Sequence, residues 1–234
     1  MLTAIIQSIC CALFAYLAGS VNLSYFLSKK KGYDIREHGS GNAGASNIVI
    51  TMGKKAGVVV AIVDILKAYI AVRVAVAIFP GLIYAGAIAA TSVILGHIFP
   101  FYMGFRGGKG FASLGGSILA LDVKLFFILL LFAVFIALVT DYICFVPMTV
   151  SVIFPAVYGI TQRNYIIMAI LYISTVFILL RHVGNLKRIR AGKELHLSFL
   201  WNRKAEAERF GIKNDDGENY PFEYDEEQKK GSFH

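Results

Sequence analysis

Seven apolar runs, separated by short polar connections, constrain this chain more than any other feature. They lie at about residues 3–28, 56–79, 82–103, 110–121, 123–139, 143–160 and 164–182. The longer runs have the length of about 17–25 residues that an α-helix needs to cross a bilayer. Of the 234 residues, 57% are apolar and 16% are charged, whereas soluble domains carry about 25% charged residues. We therefore expect an all-α polytopic membrane protein, folded as one bundle of seven transmembrane helices.

The number of spans depends on residues 111–139, which form either one long tilted helix or two short ones. Asp122 and Lys124 lie in the middle of this stretch, and charge at bilayer depth is costly. We therefore expect a break and seven spans, with six as the alternative. With seven spans, the basic connection 29–55 and the basic region after Arg181 fall on the same side of the membrane. Basic residues accumulate in cytoplasmic loops, which predicts an external N-terminus and a cytoplasmic C-terminus.

Charge and cysteine placement argue against several other classes. The net charge of +8 does not indicate nucleic-acid binding, because the basic residues lie in the connections between apolar runs. Cys10, Cys11 and Cys144 lie in apolar runs without metal-ligand spacing, which predicts small buried hydrophobic residues. No basic residue precedes the first run, so we expect that run to remain as a helix and not to be a signal peptide.

The C-terminal region differs in composition from the rest of the chain. We expect residues 1–200 to form the transmembrane domain and residues 201–234 to form a polar, disordered cytoplasmic tail. Carboxylates are frequent after residue 214 and aliphatic side chains are few, a composition that does not support a hydrophobic core. A short helix is expected at residues 203–210.

Residues 104–110 place four glycines and two cations between two apolar runs. Glycine leaves backbone N–H groups accessible and tolerates positive φ, so successive N–H groups can surround an anion. Arg106 and Lys109 add positive charge. A phosphate site and a tight basic turn fit these residues equally well. A nucleotide-binding P-loop does not, because Met103 and Gly110 occupy the positions of its first glycine and its hydroxyl residue.

Residues 39–47 form a second glycine-rich connection. The first six match the pattern G-x-G-x-x-G, but charged and polar residues precede them instead of a hydrophobic strand, so a dinucleotide-binding fold is not predicted. Ser40, Asn42 and Asn47 nevertheless offer hydrogen-bond donors beside a basic segment. The stretch fits either a second anion site or lid, or a polar turn with a short interfacial helix.

Two further polar groups lie within or after apolar runs. Asp64 and Lys67 share a helix face, which predicts a structural ion pair in which Lys67 could also lean towards a bound phosphate. His182, Asn185 and Arg188 follow the last run and either bind a phosphate or hydroxyl, or contact anionic headgroups. The sequence contains neither an H-x-x-x-x-D acyltransferase motif nor an HExxH metal motif.

Taken together, these stretches resemble the bacterial membrane glycerol-3-phosphate acyltransferases that use acyl phosphate as donor, the PlsY family. The resemblance covers about residues 1–195, and its motifs occur in the family's order. Its motifs here are residues 34–36 with 39–47, Asp64-x-x-Lys67, residues 96–100 with 105–110, and His182-x-x-Asn185-x-x-Arg188 with Gly192-x-Glu194.

The resemblance implies a multi-pass protein of the bacterial cell membrane, with its motif loops on the cytoplasmic face. It implies transfer of a fatty acyl group from acyl phosphate to the 1-hydroxyl of sn-glycerol 3-phosphate, giving lysophosphatidic acid and phosphate in phospholipid synthesis. Neither a metal nor another cofactor is implied, and the expected partners are the two substrates and membrane lipids.

The resemblance also implies roles for individual residues. Those expected to act in catalysis are Ser40, Lys109, His182 and Asn185. Those expected to bind substrate phosphates are Gly41, Asn42, Asn47, Lys67, Arg106, Gly107, Gly108, Gly110 and Arg188. Those expected to support the fold are Asp64, His97 and Glu194.

Three positions depart from the family pattern. Ile50 stands where the family has Arg, while Asp141 and Cys144 stand where it has Arg and Ser. Each lost charged hydrogen bond would weaken binding of a dianion by about 1–3 kcal/mol. Two other hypotheses therefore remain: a divergent paralogue with altered or weak activity, and a transporter or lipid-binding membrane protein whose loops bind phosphate groups.

Overall fold

The computed structural model describes residues 2–202, which are largely helical. The α-helices of this part of the chain are α1 (Leu2–Ser20), α2 (Leu23–Lys30), α3 (Ala45–Met52), α4 (Lys54–Ile78), α5 (Ala85–Ile98), α6 (Phe111–Leu121), α7 (Val123–Thr140), α8 (Phe145–Thr161) and α9 (Tyr165–Arg190). Single 3₁₀ turns lie at Ile35–Glu37, Phe101–Met103 and Leu197–Leu200. The expected helix at 203–210 and the rest of the acidic tail lie outside the described residues.

The first apolar run is broken after Ser20, so the prediction of one helix over 3–28 is wrong at this point. Asn22 caps α2, because its side-chain oxygen accepts a hydrogen bond of 2.9 Å from the backbone N–H of Tyr25. The hydroxyl of Tyr102 donates to the carbonyl of Ser20 at 2.8 Å and accepts from the N–H of Asn22 at 3.1 Å. Polar side chains therefore replace the hydrogen bonds of a continuous helix.

The helix formed by the third apolar run is shorter than predicted. Helix α5 begins at Ala85 and ends at Ile98, whereas the run suggested a helix over 82–103. Pro100 has no backbone N–H and disfavours a helical conformation at Phe99, and one 3₁₀ turn follows it. The chain then enters the glycine-rich connection.

The break predicted within residues 111–139 is present. Helix α6 ends at Leu121, and Asp122 adopts an extended conformation with φ of −153°. The Asp122 carboxylate accepts a hydrogen bond of 2.8 Å from the N–H of Leu125 and so caps α7. A charged residue thus separates two apolar helices.

Small residues allow the central helices to approach closely. A Cβ atom added to Gly19 of α1 would lie 2.1 Å from the carbonyl oxygen of Val93 in α5, and one added to Gly96 of α5 would lie 2.1 Å from that of Tyr16 in α1. Between α4 and α6, a Cβ added to Gly116 would lie 2.1 Å from the carbonyl oxygen of Ile65. Close backbone contact at small residues is typical of helix packing in membranes.

Four helical segments of the described chain are long and apolar enough to cross a membrane by length and composition: Leu2–Lys30, Ala85–Met103, Val123–Thr140 and Tyr165–Arg190. Helix α4 has 25 residues but contains Asp64, Lys67 and Arg73. Helices α6 and α8 are shorter apolar helices.

The connections that carry the polar motifs meet at one end of the bundle. The segment before α4, the start of α6, the turn between α7 and α8, and the end of α9 all contribute to the wall of one cavity. The topology therefore brings together residues that are up to about 150 positions apart in the chain.

Candidate active site

A cavity of about 500 Å³ lies between the ends of α4, α6, α8 and α9. One part of its wall is polar and includes Ser40, Asn42, Asp64, His97, Lys109, His182, Asn185, Arg188 and Glu194. The rest is hydrocarbon and includes Ile65, Leu114, Ile118, Phe126, Leu129, Leu130 and Val150. The cavity therefore suits a ligand with one charged end and one apolar part.

Four charged or polar side chains form a connected network on the polar wall. The Lys109 ammonium donates to Asn185 Oδ1 at 2.6 Å, and Asn185 Nδ2 donates to Glu194 Oε1 at 2.5 Å. Arg188 Nε donates to the second oxygen, Glu194 Oε2, at 2.6 Å. Lys109, Arg188 and Glu194 together carry one net positive charge, because two cations face one carboxylate. The network can therefore hold positive charge beside an incoming phosphate.

The pKa of Lys109 is lowered by its surroundings. Burial lowers the pKa of its ammonium from 10.5 to about 8, with smaller lowering by Arg188 and an opposing effect of Glu194. The ammonium is consequently charged at neutral pH and close to its titration point in mildly alkaline solution. A bound dianion would favour the charged form.

His182 lies in α9, one turn before Asn185, and is 3% exposed. Its Nδ1 atom is 2.7 Å from the carbonyl oxygen of Ile178. A carbonyl oxygen only accepts hydrogen bonds, so Nδ1 carries the proton and Nε2 of the neutral ring is an acceptor. His182 can thus orient a hydroxyl group, and it is held by the backbone of its own helix.

Asp64, Lys67 and His97 form a buried cluster at the polar wall, to which Asp64 and His97 contribute. The Lys67 ammonium is 2.7 Å from Asp64 Oδ1, 3.0 Å from His97 Nδ1 and 2.6 Å from the carbonyl oxygen of Val21. The contact between Lys67 and Asp64 is an ion pair. Asp64 and His97 line the cavity, but Lys67 does not. Lys67 thus joins α4 to the break after α1. From the sequence it is predicted to bind a substrate phosphate, but its side chain is not part of the described cavity lining.

The glycine-rich connection packs against His97. The N–H of Gly108 donates to the carbonyl oxygen of His97 at 3.1 Å, and the N–H of Gly107 donates to that of Ile98 at 2.9 Å. A Cβ on Gly108 would lie 2.1 Å from His97 Nε2, so no larger residue fits. These two N–H groups are used within the protein, which differs from the expected role of Gly107 and Gly108 as direct anion donors.

The remaining positions of this connection separate into two groups. Gly110 lines the cavity and adopts a φ of 87° at the start of α6, a conformation that favours glycine. Lys109 also lines it, whereas Arg106 is exposed and lies outside the described lining. The connection therefore presents its single lysine to the cavity.

The first motif loop is organised around Asn47, which is fully buried. Its Nδ2 donates to the carbonyl oxygens of Ile35 and His38 at 3.0 and 2.9 Å, and its Oδ1 accepts from the N–H of Ser40 at 2.8 Å. Asn47 does not line the cavity, and neither does Gly41, which occupies a turn with φ of 69°. Asn47 thus positions the loop, instead of contacting a ligand as expected.

Of the four residues of this loop that were predicted to belong to the site, Ser40 and Asn42 line the cavity. The side-chain oxygen of Asn42 is buried without a hydrogen-bond partner in the described structure. A buried acceptor without a partner carries a free-energy cost, and a ligand hydroxyl would remove it.

The three departures from the family pattern lie in different surroundings. Ile50 and Cys144 line the cavity. Asp141 does not, because its carboxylate accepts hydrogen bonds of 2.7 Å from both the N–H and the hydroxyl of Ser198. The negative charge of Asp141 thus lies outside the described lining of the cavity. Its carboxylate is used to hold the segment after α9.

Sequence reasoning missed the part of the wall that follows Glu194. Leu195, His196, Leu197 and Leu200 all line the cavity. They lie beyond the last apolar run and show no periodic pattern that indicates a buried position. The position of this segment at the cavity wall is seen only in its tertiary contacts.

Comparisons with known proteins agree with this geometry. The family described as glycerol-3-phosphate acyltransferase matches residues 9–192. A glycerol-3-phosphate acyltransferase of Bacillus subtilis is 37% identical over 181 residues, which cover 76% of this chain and 91% of the relative. One of Aquifex aeolicus is 35% identical over 189 residues, covering 78% and 95%.

A solved structure shows the same fold. The crystal structure of PlsY (YgiH), an integral membrane glycerol 3-phosphate acyltransferase in its glycerol 3-phosphate form, superposes with a TM-score of 0.75 at 30% identity, covering 82% of this chain and 96% of the other. The lysophosphatidic acid form gives a TM-score of 0.71 at 28% identity, covering 81% and 94%. The family match spans most of the chain and its polar motifs surround one cavity, and so this multi-pass membrane protein belongs to the glycerol-3-phosphate acyltransferase family.

Proposed function

We propose that this protein transfers a fatty acyl group from acyl phosphate to the 1-hydroxyl of sn-glycerol 3-phosphate, producing lysophosphatidic acid and inorganic phosphate. The observation that carries this proposal is a cavity in which the network of Lys109, Asn185, Arg188 and Glu194 faces a hydrocarbon wall. Both substrates carry a phosphate, and one carries an acyl chain, so one polar and one apolar wall are needed.

The proposed chemistry uses an already activated donor. The substrate hydroxyl oxygen forms a bond to the acyl carbonyl carbon, and the bond between that carbon and the bridging phosphate oxygen breaks. The hydroxyl proton leaves with the phosphate, one of whose oxygens accepts it. Catalysis then depends on alignment of the two substrates and on stabilisation of charge by fixed cations. The proposed reaction uses neither a metal nor coenzyme A.

Individual residues have distinct parts in this proposal. Lys109 and Arg188 stabilise the phosphate that departs. Glu194 holds Arg188 directly and Lys109 through Asn185. His182 Nε2 accepts a hydrogen bond from the acceptor substrate and orients it. Ser40 and Asn42 contact it from the opposite wall. Replacement of His182 by Ala should therefore weaken binding and alignment. Abolished turnover with unchanged binding of both substrates would instead indicate that His182 is the proton acceptor.

The membrane arrangement forms part of the same proposal. We place the cavity at the cytoplasmic face of a bacterial cell membrane, with seven spans, an external N-terminus and a cytoplasmic C-terminus. The basic residues of the connections around the cavity support this side. A soluble substrate such as glycerol 3-phosphate would then enter from the cytoplasm.

The decisive experiment measures phosphate release by the purified protein. Palmitoyl phosphate supplied with glycerol 3-phosphate should give phosphate and lysophosphatidic acid in equal amounts. Palmitoyl phosphate alone should give almost none. Phosphate release that does not depend on glycerol 3-phosphate would contradict the proposal, as would acyl transfer only from another donor.

A divergent enzyme with weak activity is a second candidate, and Ile50 supports it. This apolar side chain lines the cavity beside the first motif loop, where the resemblance leads one to expect an arginine. Lower affinity for glycerol 3-phosphate than in relatives that retain this arginine would favour this candidate.

A further inference from the structure

The segment after α9 turns back over the cavity. Residues 195–200, which we call the C-terminal strap, follow the turn at Gly192 and end in one 3₁₀ turn, Leu197–Leu200. Leu195, Leu197 and Leu200 line the cavity, and Leu197 also packs against the main hydrophobic core. The strap therefore supplies apolar surface to the ligand cavity.

Asp141 is the principal anchor of this strap. Its carboxylate oxygens accept hydrogen bonds of 2.7 Å from the N–H and 2.7 Å from the hydroxyl of Ser198. Its backbone carbonyl accepts a third, of 2.6 Å, from the N–H of Leu197. Asp141 ends α7 in a left-handed conformation with φ of 57°. This conformation directs the chain from α7 into the turn that contacts the strap.

Contacts on either side of Ser198 complete the attachment. The rings of Tyr142 and His196 lie 4.8 Å apart and are tilted by 52°, and His196 Nε2 is 3.0 Å from the Tyr142 hydroxyl oxygen. At the far end, the Lys54 ammonium donates to the carbonyl oxygen of Leu200. The strap thus runs between the turn after α7 and the start of α4.

The polar network is attached separately. Glu194, the residue before the strap, is held by Asn185 and Arg188 of α9. Loss of the Asp141 carboxylate would therefore loosen the leucines of the strap while the network beside them keeps its own hydrogen bonds.

We propose that Asp141 is a positioning residue which, through Ser198, holds the strap as an apolar wall for the acyl chain of the substrate. This inference rests on the proposed acyltransferase function. The leucines of the strap can contact a hydrocarbon chain but offer no hydrogen bond to glycerol 3-phosphate. Release of the strap should therefore weaken binding of the acyl substrate and leave that of glycerol 3-phosphate unchanged.

The test compares three variants with a matched control. Asp141→Gly removes the carboxylate without strain at positive φ, and Ser198→Ala removes one of its partners. Asp141→Asn tolerates the same backbone conformation and keeps an oxygen that accepts from the N–H of Ser198. Asp122→Ala is the control, because Asp122 caps the other end of α7 and does not contact the strap.

Two readouts decide the inference. In Asp141→Gly, hydrogen exchange at Ser198 should be faster, because both carboxylate hydrogen bonds are lost. The KM for palmitoyl phosphate should rise about tenfold, as expected when part of the apolar contact with the acyl chain is lost. The KM for glycerol 3-phosphate and kcat should change less than about twofold. Ser198→Ala should show a smaller rise of the same kind, and Asp141→Asn and Asp122→Ala should resemble the wild type in both KM values.

Each contrary result is distinguishable. Unchanged exchange at Ser198 would show that Asp141 does not hold the strap, and faster exchange with an unchanged KM for palmitoyl phosphate would show that the strap does not contact the acyl chain. A wild type that does not use palmitoyl phosphate would contradict the proposed function alone. The inference is then decided by palmitoyl lysophosphatidic acid, which should raise the Tm of the wild type more than that of Asp141→Gly; equal shifts would overturn it.

Discussion

Asn47 and Asn185 are both buried asparagines near the cavity, and their amides are used in different ways. Asn47 bonds to backbone groups of Ile35, His38 and Ser40, all within twelve residues of itself. Asn185 bonds to the side chains of Lys109 and Glu194, and Lys109 is 76 residues away. The first amide stabilises the shape of one loop. The second holds charged groups from separate segments beside a ligand space.

This difference separates residues that support the site from those that face the substrate. Replacement of Asn185 or one of its partners should lower activity with little loss of stability, since these partners line an open cavity. Replacement of Asn47 should lower both activity and stability, because buried backbone groups lose their only described side-chain partner.

The largest expected effect on activity comes from a change in the network around Asn185. Lys109→Ala removes the ammonium nearest Asn185 and should lower kcat/KM by about a hundredfold or more, as loss of one preorganised charged donor does in other enzymes. Tm should change by only a few degrees. Phosphate release and thermal unfolding of the same detergent-solubilised preparation measure both quantities. A fall in Tm as large as that of Asn47→Ala would remove the distinction between the two clusters.

Asn47→Ala should have the largest effect on stability. It leaves two carbonyl oxygens and one N–H of the first motif loop without this partner, which predicts a loss of about 2 kcal/mol or more in the free energy of unfolding. Asn42→Ala is the matched control, because Asn42 lies in the same loop and lines the cavity. It should lower activity without this loss of stability. Equal Tm values for the two variants would contradict the supporting role of Asn47.

A pH series tests whether Lys109 acts through its charge. Burial lowers the pKa of Lys109 to about 8, so the charged form is lost as the pH rises through this value. The kcat/KM for glycerol 3-phosphate should then fall up to about tenfold per pH unit above this pKa. In Lys109→Arg the cation stays charged, so this alkaline fall should be absent even if the rate is lower. The same fall in both proteins would assign it to another group.

The same lowered pKa predicts the opposite trend for stability. Between about pH 8 and 10.5 the unfolded chain binds a proton that the folded lysine has lost. The contribution of Lys109 to the free energy of unfolding therefore increases with pH over this interval. A comparison of wild type with Lys109→Arg by thermal unfolding isolates this contribution.

The smallest expected effect concerns Ile50, on the wall beside the loop that Asn47 supports. Ile50→Arg adds a cation to this wall and should lower the KM for glycerol 3-phosphate a few-fold, since a charged hydrogen bond to phosphate at a solvated site contributes at the low end of its range, about 1 kcal/mol. Ile50→Gln adds length without charge and is the control. An unchanged KM in Ile50→Arg would show that phosphate does not approach this wall.

The features predicted correctly from the sequence depend on local chemistry. The apolar runs predicted the helices, and Asp122 predicted the break between α6 and α7. The pairing of Asp64 with Lys67 followed from their spacing of three residues on one helix. The order of the polar motifs along the chain indicated the family, and the structure brings these motifs to one cavity.

The tertiary structure decided which polar groups face the ligand space. The N–H groups of Gly107 and Gly108 donate to α5, Asn47 is turned into its own loop, and Asp141 binds Ser198, 57 residues further along the chain. Helix formation depends on neighbours three or four residues apart, so the sequence itself shows it. The choice of hydrogen-bond partner for a loop residue depends on which distant segment packs beside it, and that packing exists only in the folded bundle.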